Sequence, residues 1–362
     1  MALQDSEGVT VANDDEISSW DGAVYQRLSS TVPAGRFVKI SQDALGRNSR
    51  YLKFRCMFQG GFDGVNIFDK EKAKLSNVAT LREGLDEAAN NSFTGPTINS
   101  YKKAIDTLKD KTTFEMQLLS IPGIRSSQVT DYAIQACEDR FDAMLVMDIE
   151  EYDDSADMNL IVSKSDKPSA LNTVEKFSDR NLDTSFAAAY FPDVVSSKPS
   201  DSSSIVVPPS VVMLGAIGLN DRLADPWFAP AGLSRGKLNA TDSRLRMPRS
   251  VLDQVYDADI NPIYVPAGRS REVYTFGQKT LLKDQSALDR INVRRLLIRV
   301  KKFIASSSRF LLFEQNNSAL RSRFLNIVNP FLETVQSQSG LTAFRVVMDE
   351  TNNTPDTIDR NQ

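Results

Sequence analysis

Histidine is absent from this chain, and that removes much of the usual enzymatic repertoire. Neither a Ser-His-Asp nor a Cys-His relay can be assembled. An imidazole zinc site is equally impossible, and the two cysteines, Cys56 and Cys137, cannot make a four-thiolate one. The remaining candidates are carboxylates, basic side chains and a thiol. Asp148 and Glu150 stand two apart at the end of the apolar run Met144–Ile149. On a strand they would share a face, as a carboxylate hydrolase requires, but no aromatic cleft pattern accompanies them. Glu150, Glu151, Asp153, Asp154 and Asp157 could offer oxygen ligands to a divalent cation. Their spacing lacks the glycine of an EF-hand loop, so they read as a solvated acidic loop and no metal is expected. Cys137 falls on the apolar face of its helix and reads as a buried structural thiol, with no base to activate it. Gly277-Gln278-Lys279-Thr280 lacks the glycine spacing of a phosphate loop, so no nucleotide or other cofactor is expected.

The strongest charge feature is basic. From Asp289 to Arg323 nine Arg and Lys residues face two acids. Arg294, Arg295, Arg299, Lys301 and Lys302 lie on a helix expected over Arg290–Ile304, whose apolar stripe is Val293, Leu296, Leu297, Val300 and Ile304. Arg295, Arg299 and Lys302 share a second face. The five basic residues read either as a solvated helix face or as a docking surface for an acidic protein partner. Nucleic acid is a poorer match, because no aromatics interleave with the charges.

The elements that would position these residues follow from apolar spacing. Helices are expected at 76–91, 97–109, Ser127–Arg140 and Asn317–Gln338. Strands are expected at Tyr51–Phe58, Phe114–Ile121, Met144–Ile149, Arg309–Phe313 and Ala343–Met348, and Phe186–Phe191 is a run that ends at Pro192. The run Val211–Ile217 is compatible with a buried strand or a helix start. Ser196–Ser204 reads as a mobile low-complexity loop. Asp225–Gly232 reads as a rigid loop presenting Trp227 and Phe228. Strand, helix, strand across Phe114–Ile149 is a βαβ unit and implies a parallel sheet.

Net charge is −4, and the chain is 41% hydrophobic and 25% charged, an ordinary globular profile. No apolar run approaches the roughly 18 residues of a membrane span. The first twenty residues lack the pattern of a secretory signal.

Taken in order, several strings resemble the contractile phage tail sheath family. They are Gln59-Gly60-Gly61-Phe62-Asp63-Gly64, Ile121-Pro122-Gly123, Glu138-Asp139-Arg140-Phe141-Asp142, Val146-Met147-Asp148 and Ala187–Pro192. Val207-Pro208-Pro209-Ser210 and Trp227–Gly232 continue the series, followed by Ile260-Asn261-Pro262-Ile263, Phe276–Leu281, Ile291–Leu296, Phe313–Asn317 and Asp349–Pro355. Asp193 stands where the family commonly has an aromatic.

The resemblance implies an α/β fold: a subtilisin-like sheath domain with βαβ units but no protease chemistry, then a smaller α+β C-terminal domain. The expected divisions are 1–55 as part of an outer or inserted β-rich region, 56–255 as the subtilisin-like domain and 256–362 as the C-terminal domain, incomplete at its end. The family's terminal arms are not matched, so the chain is expected to be a fragment, soluble and largely monomeric. The implied function is structural and not enzymatic: helical polymerisation around an inner tail tube, then contraction that drives the tube through a host envelope. The implied partners are other sheath subunits, the tube protein, the baseplate and the tail terminator, without nucleic acid or membrane insertion. The implied location is the virion tail, assembled in the host cytoplasm. A surface-exposed receptor- or carbohydrate-binding module, with Trp227 and Phe228 as its platform, is the alternative.

Overall fold

The Ala-rich run Ala187–Phe191 lies at the centre of the sheet because small residues let helices approach it from both sides. A computed structural model describes residues 75–354 apart from 91–94, 164–165, 199–202 and 267–271. The expectations at Tyr51–Phe58, Gln59–Gly64 and Cys56 lie outside the described residues. So do the region 1–55 and the last eight residues.

In chain order the elements open with α1 (Asn77–Asn90), α2 (Pro96–Lys109), β1 (Leu118–Leu119), α3 (Ser127–Arg140) and β2 (Met144–Asp148). Next come α4 (Ala170–Asp179), β3 (Ala187–Phe191), β4 (Val194–Ser197), β5 (Ser204–Val207) and α5 (Pro209–Leu223). Then follow α6 (Gly232–Arg235), β6 (Lys237–Leu238), β7 (Asp242–Ser243), α7 (Arg249–Asp257), β8 (Ile260–Tyr264) and β9 (Val273–Thr275). Two long helices, α8 (Ile291–Ser308) and α9 (Ser318–Ser337), come last.

The main sheet has the order β1-β2-β3-β8-β9-β6. β1, β2, β3 and β8 run parallel, with Leu118 opposite Met144, Leu145 opposite Ala187 and Ala189 opposite Ile260. β9 and β6 add an antiparallel edge. The βαβ unit β1-α3-β2 is therefore present, although β1 keeps only two residues of the longer strand expected there. β8 lies C-terminal to the division expected at residue 255, and it pairs with β3 in this same sheet. The described residues all fall within the compact unit Phe68–Gln362.

Side-chain alternation along β2 and β3 builds a core on each face. Leu145, Met147, Ala187, Ala189 and Phe191 meet α2, α3, α4 and α7 through Ile105, Val129, Cys137, Phe177 and Val255. Met144, Val146, Ala188 and Tyr190 meet α5 and α8 through Met213, Ala216, Ile217, Ile291 and Ile298. A third cluster holds Trp227 against Leu296 and Val335, so α8 and α9 close over the loop that follows α5. Among the described residues no helix is long and apolar enough to cross a membrane.

Val211–Ile217 takes the helical of its two readings: Pro208-Pro209 starts α5, and Val212, Met213, Ala216 and Ile217 pack into the core while Val211 stays exposed. Three other local expectations are corrected. The ends of Ser196–Ser204 belong to a hairpin, with Ser196 opposite Ile205 in the sheet β5-β4-β7. Arg309–Leu311 is a short 3-10 turn and not a strand. Residues 343–348 form no strand among the described residues, since no ladder partner lies beside them.

Candidate contact surface

The polar residues at the carboxyl ends of the parallel strands are used inside the fold. Asp148 ends β2 with its side chain buried. It accepts hydrogen bonds from the Gly123 amide at 2.8 Å, the Ser210 amide at 2.8 Å and the Ser210 hydroxyl at 2.7 Å. Ser210 sits in the first turn of α5, whose N-cap Pro208 offers no capping side chain. The carboxylate thus supplies the missing acceptor at the positive end of the helix. Burial pushes its pKa up, and these hydrogen bonds and the Arg125 charge pull the other way. Three strings quoted for the resemblance, around Gly123, Asp148 and Ser210, converge on one carboxylate. The sequence signal was a helix opening on Pro-Pro with no cap of its own.

Glu150 does not join Asp148 in an acid–base pair. It accepts the Tyr152 hydroxyl at 2.9 Å, and burial raises its pKa. The acidic loop is not solvated throughout: Glu151 is buried between two guanidinium groups. Arg125 Nη1 lies 2.9 Å from Glu151, and Arg125 Nη2 lies 2.5 Å from Asp193. Arg244 pairs with Glu151 and stands 3.3 Å from Asp193. These four side chains tie the loops after β1, β2 and β3 to the residue after β7. Asp193, which departs from the family's aromatic, is one corner of this cluster. Further along, Asp153 accepts bonds from Ser155 and Asn159 and organises its own turn. No group of metal-ligating side chains occurs among the described residues.

Cys137 is fully buried, and burial pushes its thiol pKa up to about 12. Gly277 is a position of close approach, because an added Cβ would stand 2.7 Å from the Asn261 amide oxygen. Asn261 donates to the carbonyls of Ala189 and Lys279 and accepts from the Lys279 amide, which joins two more of the quoted strings.

The five basic residues of α8 do not share one exposed face. Arg294 is buried, reaches the Ser185 hydroxyl and stacks 4.0 Å from the Phe186 ring centre. Arg295 is buried, pairs with Asp221 and donates to the Pro226 carbonyl. Lys302 is half-buried and donates to the Met116 carbonyl at 2.5 Å. Only Arg299 and Lys301 are exposed, and Lys301 lies 5.3 Å from the Phe141 ring centre. The helix is clasped on two sides, by the sheet core and by α9, so its buried arc is wider than its apolar stripe. Trp227 is buried too, its indole N–H donating to the Gln338 carbonyl at 3.2 Å. It fills the base of the α8–α9 hairpin and presents no platform to solvent.

α8 and α9 run antiparallel. Phe303 stacks on Phe331 at 3.9 Å between ring centres, and Leu296 clusters with Val335. The Asn317 side chain caps α9 by accepting from the Leu320 amide. What remains on the surface of the hairpin is its basic flank and its tip.

Residues 283–362 match the family described as phage tail sheath C-terminal domain. Over 157 residues the chain is 38% identical to the tail sheath protein of Vibrio phage KVP40, covering 43% of this chain and 23% of that protein. It is 37% identical over 157 residues to the tail sheath protein of Enterobacteria phage T4, covering 43% and 24%. The chain thus spans about a quarter of the length of these curated relatives. Among solved structures, the PVC sheath complex of an extracellular contractile injection system in the contracted state superposes with a TM-score of 0.56 at 22% identity, over 71% of this chain and 68% of that one. The helical sheath of the anti-feeding prophage in the contracted state gives 0.52 at 21% identity, over 74% and 68%. The fold is theirs. Residues 283–362 are thus similar to the phage tail sheath C-terminal domain, and part of the chain is similar to curated tail sheath proteins.

Proposed function

We propose that this chain is the folded body of a structural subunit of a contractile tail sheath and not an enzyme. The observation that carries the reading is the combination of the C-terminal family match with a sheath fold across most of the chain. The site chemistry is compatible with it: Asp148 and Glu151 hold loops together, and Cys137 is sealed in the core. Copies would join head to tail, one face against a different face of the next, so that a helical tube grows without closing. Residues 343–348 alternate between half-buried and exposed positions, as suits a strand that a neighbouring subunit completes. The inner tube, the baseplate and the terminator are the further partners in this reading. The location is the virion tail, assembled in the host cytoplasm. The division into 1–55, 56–255 and 256–362 belongs to this reading, with β8 reaching across the last boundary to pair with β3.

Within the basic helix the contact reduces to Arg299 and Lys301. Exposed ion pairs are each worth about 0–1 kcal/mol, so such contacts can break and re-form as subunits slide. Charge reversal at both, Arg299→Glu with Lys301→Glu, in the natural protein that contains this chain should lower the yield of extended sheaths on tubes. Electron microscopy would reveal it, and normal extended sheaths would overturn the assignment. The receptor-binding alternative loses its platform, because Trp227 is buried.

A further inference from the structure

The seam beneath α8 is half polar. Ile291, Leu296 and Ile298 are buried there, but Arg294 and Arg295 are buried between them. Farther along the helix Lys302 holds on by a single bond to the Met116 carbonyl. Five polar atoms around the first turns of α8 are buried without a hydrogen-bond partner among the described residues: Tyr190 Oη, Asn220 Oδ1, Asp221 Oδ1, Asn292 Oδ1 and Arg294 Nε. Tyr190 is on β3, below the helix and within electrostatic reach of Arg295. Water would meet all five if α8 lifted. Opening this seam therefore costs less than opening an apolar one of the same size.

α9 adds little hold of its own. Its cluster with the rest of the fold consists of Trp227 and Phe228 on one side and Leu296, Phe331 and Val335 on the other. The loop that carries Trp227 is read by both neighbouring helices through three successive carbonyls. Pro226 accepts from Arg295 at 3.4 Å, Trp227 from Asn292 at 3.1 Å and Phe228 from Asn220 at 3.1 Å. The Trp227 indole then donates to the Gln338 carbonyl, just past the end of α9. At the base of α8, Thr280 donates to the Asp289 carbonyl at 2.8 Å and Ile291 to the Gln278 carbonyl at 2.9 Å. These backbone bonds make a fulcrum, and the Trp227 loop is the clasp above it.

We infer that α8 and α9 form a strap that lifts from the sheet as one unit before the rest of the fold opens, with Trp227 as its latch. Phe303 stacked on Phe331 keeps the two helices together as they move. Such a sub-global opening is the behaviour of a cooperative unit with a weaker boundary than its interior. The strap goes beyond the sheath reading and does not rest on it.

The test is native-state hydrogen exchange of the 362-residue chain in sub-denaturing urea, followed by mass spectrometry. Amides of 293–305 and 319–337 should share one opening, at least about tenfold more frequent than that of 144–148 and 187–191 and with a shallower urea dependence. Trp227→Ala should raise exchange in both helices at least about tenfold and leave β2 and β3 within about twofold. Trp227→Phe, which keeps the ring and loses the N–H, should raise it severalfold and keeps the test open if the alanine variant does not fold. Tyr190→Phe removes a partnerless hydroxyl and should slow the opening severalfold. Val129→Ala, on the other face of the sheet, should speed exchange in β2 and leave both helices unchanged. Equal protection and equal urea dependence in the helices and the strands would overturn the strap. So would α8 and α9 opening with different urea dependences. Trp227 variants that speed β2 and β3 as much as the helices would overturn the latch, and a Tyr190→Phe variant that opens as often as the parent would overturn the polar seam.

Discussion

The loops at the carboxyl ends of the parallel strands and the helical hairpin at the chain's end use the same residue types in opposite ways. At the strand ends, Arg125 and Arg244 are buried with Glu151 and Asp193, and the charges cancel within the fold. In the hairpin, Arg294 and Arg295 are likewise consumed, but Arg299 and Lys301, four and six residues after Arg295, face solvent. Charge alone therefore says little about role. Whether a neighbouring element supplies an acceptor decides it, and that is a property of the fold.

Four substitutions probe this contrast. The largest effect is expected at the strand ends, where Arg244→Ala would leave the two buried carboxylates Glu151 and Asp193 to share Arg125 alone and cost about 3–5 kcal/mol in urea unfolding. A loss below about 1 kcal/mol would mean that the cluster is solvated and not an internal strut. Asp148→Ala comes next, at about 3 kcal/mol, because it leaves the first turn of α5 and the Gly123 amide without their acceptor. Hydrogen exchange should localise the damage to residues 210–213, and protection unchanged there would argue against the cap. In the hairpin, Arg295→Ala should cost about 2 kcal/mol through Asp221 and the Pro226 carbonyl. At the small end, Arg299→Ala should fall within about 0.5 kcal/mol of the parent. If Arg295 and Arg299 proved equal by thermal denaturation, the split of the basic helix into internal and external halves would be wrong.

The sheet core was legible because its signals are local. The apolar run at Met144 and the periodic helix Ser127–Arg140 needed no knowledge of partners. Asn317–Gln338 was legible for the same reason, with Asn317 in place as cap. The misreadings share a different cause. Arg309–Phe313 has the composition of a strand, but a strand exists only where another lies beside it, and at a hairpin tip none does. Residues 343–348 failed in the same way. Arg294 and Arg295 were read as solvent-facing because Arg usually is, yet a long side chain can stack on Phe186 or reach Asp221 from a buried stem. Trp227 was placed on the surface by its Pro-rich loop, and α9, over a hundred residues downstream, covers it. Asp148 was noticed for its chemistry, and its three donors come from the loop at Gly123 and the first turn of α5, which only the folded sheet brings together.

The pairing of Ala189 with Ile260 has a consequence for synthesis. β3 leaves the ribosome with β2 already made, but its other edge stays open until the chain has grown past Tyr264. Through some seventy further residues, at roughly 5–20 residues per second, the nascent chain exposes the bare edge of Ala187–Phe191. A product cut short between β3 and β8 keeps that edge for good, and unpaired apolar edges template aggregation. Stalled or nicked chains should accumulate in inclusion bodies, while chains that continue through β9 cover the edges of both β3 and β8.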